Sequence, residues 1–136
     1  MEINEVFKKV SKVIENSIGA VPGSIQLDDT LFGKLGIDSI DLVDILFELE
    51  TAYNTQLKVS DVEKRVREEM AGRPYEIDGN ITTEGLESLK KHMTEVDPSH
   101  FVSGLTVHQL VRLFTVHSLC KLILFKLEED KKQASE

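Results

Sequence analysis

One serine with carboxylates on both sides is the group of residues in this sequence best suited to carry chemistry. Ser39 lies between Asp38 and Asp41, at the start of an apolar and acidic segment. A serine at a helix N-terminus presents its hydroxyl outside the core, near unpaired backbone N–H groups and the positive end of the helix dipole. All four histidines lie far from Ser39 in the chain, so only folding could bring a general base close. The hydroxyl would therefore be accessible to another enzyme.

A second candidate for chemistry is the pair His117 and Cys120, which share a helix face because they are three residues apart. Cys120 lies in a strongly apolar stretch, so we expect a buried and inert thiol; a small thiol enzyme is the weaker alternative. One cysteine and one histidine are too few ligands for a metal ion, and no metal site is predicted.

The segment before Ser39 begins with a predicted helix. Apolar residues at helical spacing predict a helix over Ile3–Ile18, and Gly19 ends it. The connection over residues 20–37 carries too many apolar groups for a solvated linker. We expect it to pack over the core as an ordered loop, with a short helical turn at residues 30–35.

The second predicted helix, over Ser39–Tyr53, has Asp38 as its cap and two faces of different chemistry. Its acidic residues follow the spacing i, i+3, i+7 and therefore share one face. These residues are Asp41, Asp44 and Glu48. Its apolar face is predicted to belong to the core. This face comprises Val43, Leu46, Leu49 and Tyr53.

The middle of the chain is predicted to be mostly helical. A capping box at Ser60 starts a helix that ends near residues 71–72. Residues 75–81 are predicted to be a loop, and apolar spacing predicts another helix over residues 83–94.

The end of the chain is predicted to be helical as well. A second capping box lies at Thr106, and a break near Thr115 precedes a final helix that ends near Leu127. Residues 128–136 should fray. Because no alternating, strand-like pattern competes, the predicted fold class is all-α.

Composition limits the class of partner and the compartment. The 136 residues are enough for one domain with a real core, and they carry a net charge of −8. An acidic surface repels nucleic acid and anionic membranes, so a basic protein surface is the more natural partner. The sequence predicts no leader and no span long enough for a bilayer, and the single cysteine fits a reducing compartment. We therefore expect a cytoplasmic protein.

The run Gly36-Ile37-Asp38-Ser39-Ile40 at the start of an acidic helix resembles the phosphopantetheine attachment site of acyl carrier proteins. Residues 1–60 resemble the first helix, long loop and second helix of that family, and residues 105–127 resemble its last helix. The resemblance implies a single carrier domain over residues 1–136, with a four-helix bundle as its core. Residues 61–104 would be a mostly helical insertion between the second and last helices.

The resemblance also implies a function. Ser39 would carry a 4′-phosphopantetheine arm that holds acyl groups as thioesters, and Asp38 and Asp41 would help the modifying enzyme to attach it. The chain would be a non-catalytic substrate of a phosphopantetheinyl transferase. Its acidic face, Asp41, Asp44 and Glu48, would guide acyl ligases or acyltransferases and synthases that have basic docking patches, and the apolar face of the second helix would line a sleeve for the acyl chain. We expect a monomer.

The long segment over residues 61–104 departs from typical members of the family, and its stretch over residues 78–86 resembles one found in enlarged, specialised bacterial carriers. This favours a dedicated fatty-acid, lipid or polyketide-type pathway. One alternative remains open, in which Ser39 is a plain residue at a helix start. The chain would then be a helical adaptor or enzyme subunit that keeps the carrier fold without an arm.

Overall fold

The computed structural model describes residues 1–134, and most of them are helical. The six α-helices are α1 (Ile3–Ile18), α2 (Ser39–Tyr53), α3 (Asp61–Glu69), α4 (Thr83–His92), α5 (Val107–Leu110) and α6 (Val116–Ala134). Two short 3₁₀ turns, Pro98–His100 and Val111–Leu113, complete the helical elements of the described chain. The predicted fold class is therefore correct in its main feature. Within residues 1–134 no helix combines the length and apolar character that a bilayer crossing requires.

The core forms where α1 packs against α6 and α2. The helix predicted over Ile3–Ile18 is confirmed, and three of its regularly spaced apolar residues, Val6, Val10 and Ile14, are completely buried. Ile45 of α2 and Ile123 of α6 meet them in one continuous apolar cluster.

The long connection between α1 and α2 is ordered, as predicted, because it pairs with the chain between α5 and α6. The Leu31 amide donates to the Phe114 carbonyl at 3.0 Å, and the Val116 amide donates to the Asp29 carbonyl at 3.0 Å. The short helical turn expected at residues 30–35 appears as hydrogen-bonded turns over residues 31–35 that do not form a regular helix. These contacts fix the segment that leads into α2.

A two-stranded hairpin corrects the prediction that residues 75–81 form a loop. Strand β1 (Glu76–Ile77) pairs antiparallel with β2 (Asn80–Ile81). Asp78 and Gly79 form the two-residue turn, with φ values of 52° and 84°. Positive φ at both positions is the type I′ geometry that Asp-Gly favours, so the fold is not purely α-helical.

The hairpin joins residues 61–104 to the start of α5. The Ile81 amide donates to the Leu105 carbonyl at 2.9 Å, and the Val107 amide donates to the Gly79 carbonyl at 3.1 Å. The capping box predicted at Thr106 is confirmed, since the Thr106 hydroxyl accepts from the Gln109 amide. The start of α5 is therefore fixed both by backbone hydrogen bonds to the hairpin and by the side-chain cap at Thr106.

Two predictions about helix ends are wrong. Ser60 adopts a helical conformation and makes no side-chain cap. The chain already turns before it, since the Asp61 amide donates to the Lys58 carbonyl at 2.9 Å and the Asp61 carboxylate accepts from the Lys58 amide at 3.0 Å. The last helix continues past Leu127 to Ala134, so residues 128–134 do not fray as expected. Residues 135–136, where fraying was also predicted, lie outside the described residues.

A buried acidic residue ties the end of residues 61–104 to α6. The side chain of Glu95 is only 3% exposed, and its carboxylate accepts from Lys121 at 2.8 Å and from Ser118 at 2.6 Å. The Ser118 amide also donates to Thr115 Oγ1, which lies just before α6. Glu95 thus contacts the residues that begin this helix.

Candidate functional site

Ser39 is the first residue of α2, and its side chain is exposed. Asp38 caps the helix as predicted, because its Oδ1 accepts from the Asp41 amide at 2.7 Å. Asp41 returns the contact, and its Oδ2 accepts from the Asp38 amide at 3.2 Å. This reciprocal capping box encloses Ser39 and fixes the backbone on both sides of it.

The residues before Ser39 hold it at the surface. Ile37 is buried, and its amide donates to the Leu31 carbonyl at 3.0 Å. Gly36 has a φ of 67°, a left-handed conformation that favours glycine. The chain therefore turns sharply, buries Ile37 and then exposes the serine.

A shallow cleft of about 450 Å³ opens beside Ser39. One side comes from the segment around Ser39, and the other comes from α5 and the following 3₁₀ turn. The lining residues are Phe32, Ile37, Asp38, Ser39, His108, Val111 and Arg112. The sequence analysis missed His108 and Arg112, because nothing local in the sequence indicates that α5 lies against the start of α2.

The predicted acidic face lies at the surface of α2. Asp44 and Glu48 are exposed, and Asp41 is half-buried within the capping box. We call Asp41, Asp44 and Glu48 the acidic stripe. These three carboxylates start next to Ser39 and continue along the helix.

A second, apolar stripe on α2 corrects the prediction that Val43 belongs to the core. Val43 is 66% exposed, and Ile40 and Phe47, which share its side of the helix, are 72% and 68% exposed. We call Ile40, Val43 and Phe47 the apolar stripe. An exposed apolar group next to charged residues is typical of a protein-binding surface.

The four residues predicted to form one apolar face are separated by the structure. Leu49 is completely buried, Leu46 and Tyr53 are half-buried, and Val43 is exposed. The buried side of α2 is instead formed by Leu42, Ile45 and Leu49. Burial raises the pKa of the Tyr53 hydroxyl, with smaller contributions from Cys120 and Glu5.

The alternative nucleophile, Cys120, is inaccessible. Its side chain is completely buried, and burial raises the pKa of the thiol to about 12. A thiol with this pKa is protonated at neutral pH and is a poor nucleophile. Among residues 1–134 no cluster of three or more histidine, cysteine or acidic side chains could hold a metal ion.

Comparison with known proteins identifies the family. The family model described as "Phosphopantetheine attachment site" matches residues 8–73, a stretch that contains Ser39. The acyl carrier protein of Thermotoga maritima is 32% identical over 60 residues, which are 44% of this chain and 74% of that protein. The acyl carrier protein of Campylobacter hominis is 29% identical over 62 residues, which are 46% of this chain and 78% of that protein.

No solved structure matches the chain significantly. The relatives and the family model agree with each other and with an exposed serine at the start of an acidic helix. The chain belongs to the acyl carrier protein family, whose members are non-catalytic carriers of acyl groups on a 4′-phosphopantetheine arm.

Proposed function

We propose that Ser39 carries the arm. The observation that supports this most strongly is an exposed hydroxyl that borders an open cleft, within the stretch matched by the family model. In the attachment reaction the Ser39 oxygen would bond to the phosphorus of coenzyme A that bears the pantetheine. The pyrophosphate bond would break, adenosine 3′,5′-bisphosphate would leave, and the hydroxyl proton would pass to a base of the transferase.

Asp38 and Asp41 have two roles in this proposal. One oxygen of each carboxylate is used in the capping box, and the other oxygen forms no hydrogen bond within residues 1–134. These second oxygens lie on both sides of Ser39, where they can contact a metal ion held by the transferase. The capping box and the attachment reaction therefore use the same residues without competition for one atom.

The two stripes of α2 support docking of partner enzymes. The acidic stripe, Asp41, Asp44 and Glu48, would contact a basic patch, and each exposed ion pair contributes under about 1 kcal/mol. Such contacts give fast and salt-sensitive association, which suits a carrier that visits several enzymes. The apolar stripe would add a hydrophobic contact with the partner enzyme, which persists when salt screens the charges.

The partners we propose are a phosphopantetheinyl transferase, an acyl ligase or acyltransferase, and synthases of a dedicated fatty-acid, lipid or polyketide-type pathway. We propose a monomer in the cytoplasm, which is consistent with a core that closes within one chain. Residues 61–104 would be an insertion into a carrier core formed by residues 1–60 and 105–127. This division is supported by the packing of α3 against α4, with the hairpin between them in the chain.

The acyl sleeve remains a proposal with a smaller set of residues. Leu46, Leu49 and Tyr53 lie at or next to the buried side of α2, so an acyl chain could enter between α2 and its neighbours there. Each buried methylene would contribute about 0.8 kcal/mol. Val43 is too exposed for this role.

An intact-mass measurement tests the proposed attachment. The purified protein is incubated with coenzyme A, Mg²⁺ and a phosphopantetheinyl transferase of broad specificity. The wild type should gain one phosphopantetheine, and Ser39→Ala should gain none. Ser60→Ala is the matched control, since Ser60 is also an exposed serine at a helix start, and it should load like the wild type. An unmodified wild type would contradict the proposal and favour the arm-less adaptor.

The acidic stripe is tested by charge reversal at Asp44 and Glu48, which take no part in the capping box. The double variant Asp44→Lys and Glu48→Lys should load more slowly, and its rate should depend less on salt than that of the wild type. Reversal at Asp41 would also remove a cap and could not separate docking from helix stability. Equal rates and equal salt dependence would show that the acidic stripe does not guide the transferase.

A further inference from the structure

Two nitrogen-bearing side chains from a distant part of the chain line the cleft beside Ser39, whereas the segment that contains Ser39 is acidic. Residues 28–50 contain seven acidic residues and a single basic one, Lys34. His108 of α5 and Arg112 of the adjacent 3₁₀ turn lie on the opposite side of the cleft, which they share with Ser39. The fold therefore places a guanidinium on the same cleft as the Ser39 hydroxyl, whose own segment of the chain is strongly acidic.

Neither side chain has a structural partner. Within residues 1–134 the Arg112 guanidinium and the His108 ring form no ion pair and no hydrogen bond. Other arginines of this chain do have partners: Arg67 pairs with Glu76 at 2.7 Å, and Arg73 pairs with Glu84 at 2.9 Å. Arg112 keeps its full set of hydrogen-bond donors free at the edge of the cleft.

We infer that Arg112, assisted by His108, binds the phosphodiester through which the arm is attached to Ser39. This inference rests on the proposed function. A guanidinium matches the two free oxygens of a phosphodiester with parallel N–H donors, and an imidazole N–H can donate to one of them. Without these groups, the positive end of the α2 dipole would be left to offset the repulsion between the new negative charge and the carboxylates of Asp38 and Asp41.

The remaining wall of the cleft suits the part of the arm that follows the phosphate. Phe32, Ile37 and Val111 give the cleft an apolar side, which the methyl groups of pantetheine could contact. Binding of the phosphate by Arg112 would therefore restrict the first bonds of the arm and direct it into the cleft. The thiol end would remain free to reach partner enzymes.

The experiment compares apo and holo forms of three variants with those of the wild type. The holo forms are made with coenzyme A and the transferase, and intact mass confirms loading. Arg112→Gln removes the charge. Arg112→Lys keeps the charge but lacks the parallel N–H donors of the guanidinium, and Lys34→Gln is the matched control. Lys34 is also exposed and belongs to the segment before Ser39, but it does not line the cleft. Because Arg112 is exposed and unpaired, its apo variants should fold like the wild type, which circular dichroism checks.

Two measurements report on the phosphate. The ³¹P resonance of the holo protein should shift in Arg112→Gln, shift less in Arg112→Lys, and stay unchanged in Lys34→Gln. The holo wild type should unfold about 2–4 °C above its apo form at low salt, and this gain should be lost in Arg112→Gln. If a loaded Arg112→Gln shows the wild-type ³¹P resonance and the wild-type gain on loading, the inference is wrong while the proposed function stands. If Ser39 accepts no arm, both are wrong.

Discussion

The contact between Glu95 and α6 gives the sharpest prediction about stability. The change is Glu95→Gln, which keeps the shape of the side chain and removes its charge. Glu95 is almost fully buried and accepts hydrogen bonds from Lys121 and Ser118. A hydrogen bond to a charged group contributes about 1.5 kcal/mol or more. Two such bonds give about 3 kcal/mol, and we reduce this to about 2 kcal/mol because Lys121 is 31% exposed and can regain contact with water.

The pH dependence follows from the same contacts. Burial alone raises the pKa of the Glu95 carboxyl, but the hydrogen bonds from Lys121 and Ser118 outweigh burial and hold its pKa below the ordinary value. A lowered pKa in the folded state stabilises the protein above the unfolded-state pKa, near about 4.3. This contribution is lost as the pH falls through the folded-state pKa. The difference between wild type and Glu95→Gln should therefore be full at pH 7 and shrink in acid.

Denaturant unfolding followed by circular dichroism measures the effect. Glu87→Gln is the control: Glu87 also pairs with a lysine, Lys90 at 3.1 Å, but it is 63% exposed. This control should lose less than about 0.5 kcal/mol. Combining Glu95→Gln with Lys121→Met gives a double-mutant cycle that isolates the pair. The reasoning is refuted if Glu95→Gln loses no more than Glu87→Gln at pH 7.

Three further substitutions test other parts of the fold and surface. Gly36→Ala should lower the free energy of unfolding by about 1 kcal/mol, because an alanine there keeps a positive φ although its Cβ meets no other atom; an unchanged unfolding midpoint would contradict this. Gly85→Ala should destabilise despite the better helix propensity of alanine, since its Cβ would lie 2.8 Å from the Tyr75 carbonyl oxygen; a more stable variant would show that α4 can move away. Phe47→Ser should slow loading by the transferase with less than about 0.5 kcal/mol change in stability, whereas Ile77→Ser, at an exposed site outside α2, should load normally; equal rates would exclude the apolar stripe from docking.

The contrast between α1 and α2 shows where sequence patterns were sufficient. α1 has one apolar side, so the spacing of Val6, Val10 and Ile14 identified its buried face correctly. α2 carries apolar residues around most of its circumference, so periodicity alone could not separate the buried Leu49 from the exposed Val43. A helix that binds partners on one side and the core on another loses the one-sided pattern on which the prediction depends.

Some local cap and turn signals in the sequence predicted the structure correctly and others did not, depending on the residues around them. Thr106 has no neighbouring acceptor that competes with it, and its capping box forms as predicted. At Ser60 the chain has already begun to turn at Lys58, whose carbonyl accepts from the Asp61 amide and whose amide donates to the Asp61 carboxylate, so the serine is helical and is not a cap. The hairpin could have been predicted, because Asp78-Gly79 is a strong type I′ turn signal, but its strands of two residues are too short to show alternation.

The cleft beside Ser39 depends on contacts between distant parts of the chain. Ser39, Asp38 and Asp41 lie within four residues, so their sequence alone indicated the site. Arg112 reaches the same cleft only because the 113–117 region pairs with the loop before α2, and because the hairpin holds the start of α5. The hairpin belongs to residues 61–104, so this segment helps to position Arg112 at the cleft although its β-strands contribute no residue to the lining. If Arg112 binds the phosphodiester, weakening the hairpin should reduce the gain in stability on loading while Ser39 remains a substrate of the transferase.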